Sequence, residues 1–294
     1  MPIPFTLRQL EYVVAVAERG GISDAAQALH VSQPSVSVAI RDLERFLGRR
    51  LFHRRAGQRL AITPAGRQFL VDARRTLAAA GRIGGQAEAA GEIGIACFRD
   101  LAAIYLPRLI AGFTRHEAGV GFRLAEGDLT EVQALLLDGR CELAISYDTG
   151  LQTGLTTARL DRLTPHVLLP AAHPLADRDS IALTDLRGES FILEDYPSTI
   201  AFFRPLLQRH GLADETCRLA PSFEMQRNLV GNGLGVGMSY ARPIPDVAYD
   251  GSVLACRPLA GDAAALDVVF VHLGEDTLSD GALRFLRHAL ARRG

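Results

Sequence analysis

Eight histidines and four cysteines are the side chains of this sequence best suited to metal or nucleophilic chemistry, and their spacing argues against both. His30, His53, His116, His166, His173, His210, His272 and His288 are scattered, with no two at i, i+4, so no helix face offers a ligand pair. Cys97, Cys141, Cys217 and Cys256 form no CxxC pair, which argues against a zinc site or a disulfide framework and fits a reducing cytosol. GxSxG, Walker A and HExxH patterns are missing. The string NGLGVGM at 232–238 contains GxGxG, but it leads into a strand instead of opening a helix, so it lacks the context of a phosphate loop. Cys97, at the end of an apolar strand, is the best candidate for a redox switch, set against an inert small hydrophobe. The expectation is a protein with no catalytic constellation, no metal and no cofactor.

A second chemistry, recognition, is better supported. Gln33, Ser35, Ser37 and Arg41 occupy the helix face that Val36 and Ile40 leave over, with Ser32 at the helix start and Pro34 in the first turn, where a missing N–H costs nothing. Short hydrogen-bonding side chains with one long cation suit a helix in a DNA major groove. The same pattern also describes a three-helix bundle with a solvated face. Charge bears on the choice. Residues 1–90 hold 13 Arg against 7 Asp and Glu, a balance of +6, and residues 91–294 hold 19 against 26, a balance of −7, which together give the net −1. A basic front end suits a polyanion. All 32 basic residues are arginine, for which a GC-rich genome is a sufficient reason.

The elements that position these groups follow from periodicity. Leu7, Leu10, Val13, Val14 and Ala17 have helical spacing, with Thr6 as N-cap and Gly20-Gly21 as the stop. Ser23 is placed to cap a short Ala-rich helix through Leu29, and Ser32 to cap a third that ends at Gly48. Residues 51–62 read as two short strands about a turn at Ala56-Gly57, a wing that brings His53, Arg54 and Arg55 to the DNA backbone or minor groove. Thr63-Pro64 opens a long helix to about residue 88, with Phe69, Ala73, Leu77 and Ala80 on one stripe. That stripe predicts pairing with a second copy, or packing on the chain's own C-terminal domain. Gly81, Gly84 and Gly85 read as a hinge.

The stretch from Phe5 to Leu70 resembles the N-terminal domain of LysR-type transcriptional regulators. The likeness rests on the AA-x-x-L helix, SQPSVS, the I-x-x-LE tail, G-x-x-LF-x-R and T-x-AG. Val38 departs from it, since many relatives carry Arg or Lys there. The resemblance implies a DNA-binding regulator that forms a dimer of dimers, answers to a small-molecule effector and works with RNA polymerase.

From Gly91 strands alternate with helices: GEIGIAC, LAAIYLPRLIAGFTRH, GFRLAEG, LTEVQALLLDGR and ELAISYD. Such a run favours a parallel sheet. A second set runs from His166 through HVLLP, ESFILED, a helix at AFFRPLLQRHG, PSFE, the helix MQRNLVGNG and LGVGMSY, and the chain returns with ALDVVFVHL and a last helix. The fold expected is an N-terminal winged helix-turn-helix over 1–63, a linker helix over 64–90 and a two-lobed, Rossmann-like α/β domain over 91–294. Its first lobe comprises 91–161 and 265–294, and its second 162–264. It resembles the periplasmic-binding-protein-like effector domain of the same regulators. No apolar run reaches the ~18 residues a membrane span needs, and the N-terminus does not read as a secretory signal, which together predict a cytoplasmic protein.

Ligands of such folds bind between lobes at the carboxyl ends of strands. That places Phe98, Arg99, Asp100, Asp128, Thr130 and Tyr147 on one side and Asp195, Ser198, Thr199 and Phe223 on the other. Asp100 reads either as the N-cap of its helix or as an acid facing the cleft. Asp100, Asp128, Asp148, Glu194 and Asp195 together predict a small polar ligand bearing a donor or cation, with an aromatic or aliphatic part; aromatic carboxylates are the alternative. An enzyme or a solute-binding protein whose N-terminal helices only mediate assembly is the competing class.

Overall fold

The computed structural model describes residues 4–54, 60–83, 92–212, 217–261 and 265–291. The turn at Ala56-Gly57, Arg55, the hinge glycines Gly84 and Gly85 and the boundary at 90–91 lie outside them.

The first helix, α1 (Leu7–Arg19), starts at a capping box: Thr6 accepts from the Gln9 backbone N–H, and the Gln9 side chain accepts from that of Thr6. Gly20, left-handed at φ 73°, ends it. The second, α2 (Ile22–Ala28), begins two residues earlier than its sequence suggests. Gly21 is its N-cap and makes no side-chain bond, so Ser23 lies inside the helix instead of capping it. Ile22 joins the core there, and packing outweighs the cap. Ser32 does cap α3 (Gln33–Leu47), and Gly48, at φ 64°, closes it. Strands β1 (Phe52–Arg54) and β2 (Leu60–Ile62) pair antiparallel, with Phe52 opposite Ile62.

The long helix α4 (Pro64–Ile83) departs from expectation. Phe69, Leu70 and Ala73 are buried in the same core as Leu10, Val13, Val36 and Leu43, and Leu77 packs against it. Phe69 and Ala73 of the stripe are therefore taken up by the chain's own N-terminal helices, while Leu77 and Ala80 stay half-buried. A three-helix core this small needs a further apolar wall, and α4 supplies it.

The rest forms two sheets. The first has the order β4-β3-β5-β13-β6, built from β3 (Ile93–Phe98), β4 (Phe122–Gly127), β5 (Leu143–Tyr147), β6 (Thr156–Leu163) and β13 (Leu266–His272). Strands β3, β4 and β5 are parallel, joined by α5 (Arg99–Thr114) and α6 (Leu129–Leu137); β13 runs antiparallel to both neighbours, and α9 (Asp280–Ala291) follows it. The second sheet has the order β10-β9-β11-β7-β12-β8, from β7 (His166–Pro170), β8 (Ile181–Ala182), β9 (Phe191–Glu194), β10 (Cys217–Ala220), β11 (Val236–Ser239) and β12 (Leu254–Ala260), with α7 (Pro197–Arg209) and α8 (Phe223–Gly231). The first sheet extends to Leu163, two residues beyond the expected edge of its lobe, because Leu163 still pairs with Leu266. In the second, the strand falls on Cys217–Ala220 before PSFE, and Ser222 caps α8 by accepting from the Met225 N–H.

Candidate functional site

The recognition face is built on α3. Gln33, Pro34, Ser35 and Arg41 are exposed, Ser37 is half-buried, and Val38 is 49% exposed on the same side. Ser32 accepts from the Ser35 N–H at 3.3 Å and its hydroxyl lies 2.7 Å from that of Ser35, so both hydroxyls are engaged at the helix start. His53 is exposed on β1; the side chain of Arg54, like Arg55, lies outside the described residues. Sequence reasoning missed part of the basic surface. Arg41, Arg45, Arg49 and Arg50 line one shallow hollow at the end of α3. The Arg-Arg pair at 49–50 was the available signal.

One buried acid ties this face to the wing. Glu44, 8% exposed, accepts from the Leu51 and Phe52 backbone N–H groups at 2.8 and 3.2 Å and from Arg50 at 2.9 Å. Its carboxylate thus satisfies the chain where it leaves the helix for β1. Thr63 bonds the Arg50 carbonyl at 2.7 Å and accepts from the Gly66 N–H at 2.9 Å. Gly66 is packed so closely that a Cβ would lie 2.2 Å from the Leu51 carbonyl oxygen. These contacts give physical content to the I-x-x-LE and T-x-AG patterns: they fix the wing and the linker helix against α3.

Between the lobes lies a cavity of about 330 Å³. Its floor is acidic. Asp100 approaches from the first turn of α5 and Glu194 from the end of β9, so the two carboxyls come from opposite lobes. Asp100 is not the N-cap: Phe98 holds that position without a side-chain bond, and Asp100 is 9% exposed inside the helix. The two acids are hydrogen-bonded to each other, and Ser239, at the end of β11, bonds Glu194. Burial pushes Asp100 up to about 6, against the opposing pull of the Glu194 hydrogen bond and the Arg99 charge. Burial first, then the charge and hydrogen bond of Asp100, hold Glu194 well above the usual range. Both effects favour the protonated form of Glu194. The walls are aromatic. Phe98 and Tyr147 lie 5.4 Å apart between ring centres, and Tyr240 lies 5.2 Å from Phe202 and stacks on Phe203 at 5.6 Å.

The structure brings together only some of the cleft residues read from the sequence. Phe98, Asp100, Tyr147 and Thr199 line the cavity. Asp128 does not; its carboxylate caps α6, accepting from the Thr130 and Glu131 N–H groups at 2.8 Å each, and Thr130 points to solvent. Asp148 and Asp195 are exposed outside the cavity. Arg99 turns away: its guanidinium bonds Glu131 at 3.1 Å and lies 5.4 Å over the Tyr196 ring. Arg99 and Phe223 instead line a neighbouring cavity of about 460 Å³, which shares Asp100 as a wall. The side chain of Ser198 lies outside the described residues. Glu194 was seen as an acid of this region, but Phe202, Phe203, Ser239 and Tyr240 were not foreseen in the cavity. AFF on α7 and SY after β11 stand just beyond strand ends, which was the signal. Cys97, under the cavity, is fully buried, and burial pushes its thiol well above the ordinary range, which leaves it inert.

A winged reader joined through a long helix to a two-lobed domain with a cavity between the lobes defines a ligand-responsive DNA-binding regulator. Comparison with known proteins gives the family. The profile described as the LysR substrate binding domain matches residues 86–294, and that of the bacterial regulatory helix-turn-helix protein, lysR family, matches residues 7–67. The HTH-type transcriptional regulator TfdS of Cupriavidus pinatubonensis is 33% identical over 238 residues, 78% of this chain and 80% of TfdS. CfxR of Cupriavidus necator is 34% identical over 209 residues, 65% of this chain, and the match spans 61% of CfxR. Among solved structures, HinK, a LysR family transcriptional regulator from Pseudomonas aeruginosa, is 33% identical, with 99% of each chain covered and a TM-score of 0.64. The chain belongs to the LysR family of transcriptional regulators, with a helix-turn-helix for DNA and a substrate-binding domain.

Proposed function

We propose that residues 1–63 read double-stranded DNA, that residues 64–90 link the reader to residues 91–294, and that a small molecule held in the interlobe cavity sets how the readers sit on their sites. The observation that carries this reading is the exposed set Gln33, Pro34, Ser35 and Arg41 on a helix whose other side is locked by Glu44 to the wing. In this reading the exposed Gln33 and Ser35 serve base edges, and the exposed Arg41 and His53 serve phosphates, a role the sequence also assigns to Arg54 and Arg55. Effector binding would shift the population between arrangements of an oligomer, a dimer of dimers as in the family, and so alter its contact with RNA polymerase. Paired readers gain effective concentration on two half-sites. Pairing through α4 would use the part of the helix that Phe69 and Ala73 do not occupy, since the chain's own core covers those two. No described helix is long and apolar enough to cross a membrane. A cytoplasmic location and the absence of enzymatic turnover complete the proposal; the related proteins named above are regulators.

The test is fluorescence anisotropy with DNA selected by the protein from a random pool. Arg41→Ala is expected to weaken all sequences and to lower the salt slope by about 1. Gln33→Ala is expected to cost about 1–3 kcal/mol on the selected site alone. Selection that enriches no sequence, or binding unmoved by both substitutions, overturns the reading.

A further inference from the structure

The cavity already described has a chemistry that its family membership does not supply. Two acids from opposite lobes meet on its floor, and Glu194 is 3% exposed. Among the described lining residues there is no arginine and no histidine to balance them. The nearest cation, Arg99, is turned to Glu131 and Tyr196 on the far side of Asp100. Most of the apolar lining comes from the rings of Phe98, Tyr147, Phe202, Phe203 and Tyr240, beside Leu129, Ala201 and Leu266. The face of an aromatic ring carries negative quadrupole charge and attracts cations, more strongly where water is excluded. The acidic floor and the aromatic lining are separate observations, and a cation can be met by both. An anionic ligand would bring a third carboxylate to a desolvated pair.

We propose that this cavity takes a small primary amine with an aromatic or branched aliphatic body, its ammonium held between Asp100 and Glu194 and its body among the rings. The proposal rests on the reading of the cavity as the effector site and names the effector's class. In the empty state the two acids stay together by sharing one proton. When the amine enters as its ammonium, that proton leaves Glu194 for solvent. Three N–H donors then face two carboxylates and the Ser239 hydroxyl, so every donor has an acceptor and one of the two negative charges is neutralised. A volume of about 330 Å³ is at the lower end for ligand sites, which limits the body to about one ring or a short branched chain. Because Asp100 belongs to one lobe and Glu194 to the other, a bound ammonium ties the lobes together where the empty pair is held by a proton alone. This gives the ligand differential affinity for the closed arrangement, which any ligand-driven shift requires.

The experiment is calorimetry on the full chain with three matched series: phenethylamine, cyclohexylmethylamine and isoamylamine; the corresponding alcohols; and the corresponding carboxylic acids. At least one amine is expected to bind roughly tenfold or more tightly than its alcohol, and its acid not to bind. Asp100→Asn and Glu194→Gln, with unfolding temperature and selected-DNA affinity checked as measures of folding, are each expected to weaken that amine by at least about tenfold. Binding of an acid as tight as that of its amine overturns the proposal. So does amine binding that survives both substitutions together, or no amine binding at millimolar concentration. The two readings fail separately. An acid that binds here and changes DNA affinity removes the amine class and keeps the regulator; an amine that binds through both acids without changing DNA affinity does the reverse.

Discussion

Arg74, on α4, bonds Glu18 of α1 at 3.0 Å, and a second nitrogen of the same guanidinium donates to the Asp138 carbonyl at the end of α6. One side chain thus joins the reader, the linker helix and the effector domain. Gly139 lies against the same helix, where a Cβ would meet the Val71 Cα at 3.2 Å. At its other end, α6 starts at Asp128, and Leu129 lines the interlobe cavity. Helix α6 therefore runs from the interlobe cavity to the linker helix α4.

Arg74→Ala is expected to remove about 1–3 kcal/mol of local stability at this junction, since charged hydrogen bonds are lost from a partly buried site. Hydrogen exchange is the measurement. Amides of residues 13–18 and 135–140 should exchange faster, while those of β9 and β11 keep their rates. Unchanged exchange in both segments would show that the junction carries no coupling.

Glu44→Ala removes the acceptor for two backbone N–H groups at the start of the wing. Leaving those donors buried and unpaired is expected to cost about 2–3 kcal/mol and to lower the unfolding temperature of the reader. Glu44→Gln keeps an acceptor oxygen and should lose less than half as much. Equal losses for the two variants would locate the effect in side-chain volume instead of hydrogen bonding.

Gly66→Val places a Cβ 2.2 Å from the Leu51 carbonyl oxygen, a backbone atom that cannot turn aside. The wing must shift or α4 must start later. The expected outcome is a loss of DNA affinity of at least about tenfold, with the effector domain still folded by circular dichroism and calorimetry. Affinity within twofold of the parent would show that the wing's position is not held by this contact.

The reader's helices and most of their ends were legible in the sequence because caps, glycine stops and apolar spacing are local signals. Thr6, Ser32, Gly20 and Gly48 act where the pattern places them. What failed was nonlocal. Ser23 lost its cap role to the packing of Ile22, and Phe69 and Ala73 of the α4 stripe went to the chain's own core because a helical stripe does not say which partner covers it. Strands β6 and β12 were passed over. The exposed alternation Thr-Thr-Ala-Arg-Leu-Asp-Arg-Leu of β6, with one face to solvent, carries a weak apolar signal. In the cleft, nearness to a strand end proved too coarse a criterion. Asp128, Asp148 and Asp195 all follow strands, as Asp100 does, yet only Asp100 is turned inward. That choice depends on helix phase: Asp100 is one residue inside α5, whereas Asp128 stands just before α6 and is used by its N–H groups.

The pair across the cavity makes a further prediction about stability and pH. Asp100 ordinarily titrates at 3.8 and is raised to about 6 in the folded chain, first by burial. A raised value means the folded state binds this proton more tightly than the unfolded state. The resulting stabilisation is fully present below pH 3.8 and is lost as pH rises through about 6. At neutral pH the cavity without a cation thus carries a penalty on the order of 3 kcal/mol, relieved when a cation binds or the acid is removed. Asp100→Asn retains an amide that can donate to Glu194 and cannot ionise. Without ligand it should unfold at a higher temperature than the parent at pH 7. The difference should shrink as pH falls from 6 to 4. Thermal scans across that range check both statements. A variant less stable than the parent at pH 7, or a difference independent of pH, would mean that Asp100 is held as a carboxylate by partners other than Glu194. An Asp100 that is costly when the cavity is empty and useful when it is filled is the signature of a site under selection for its ligand and not for stability.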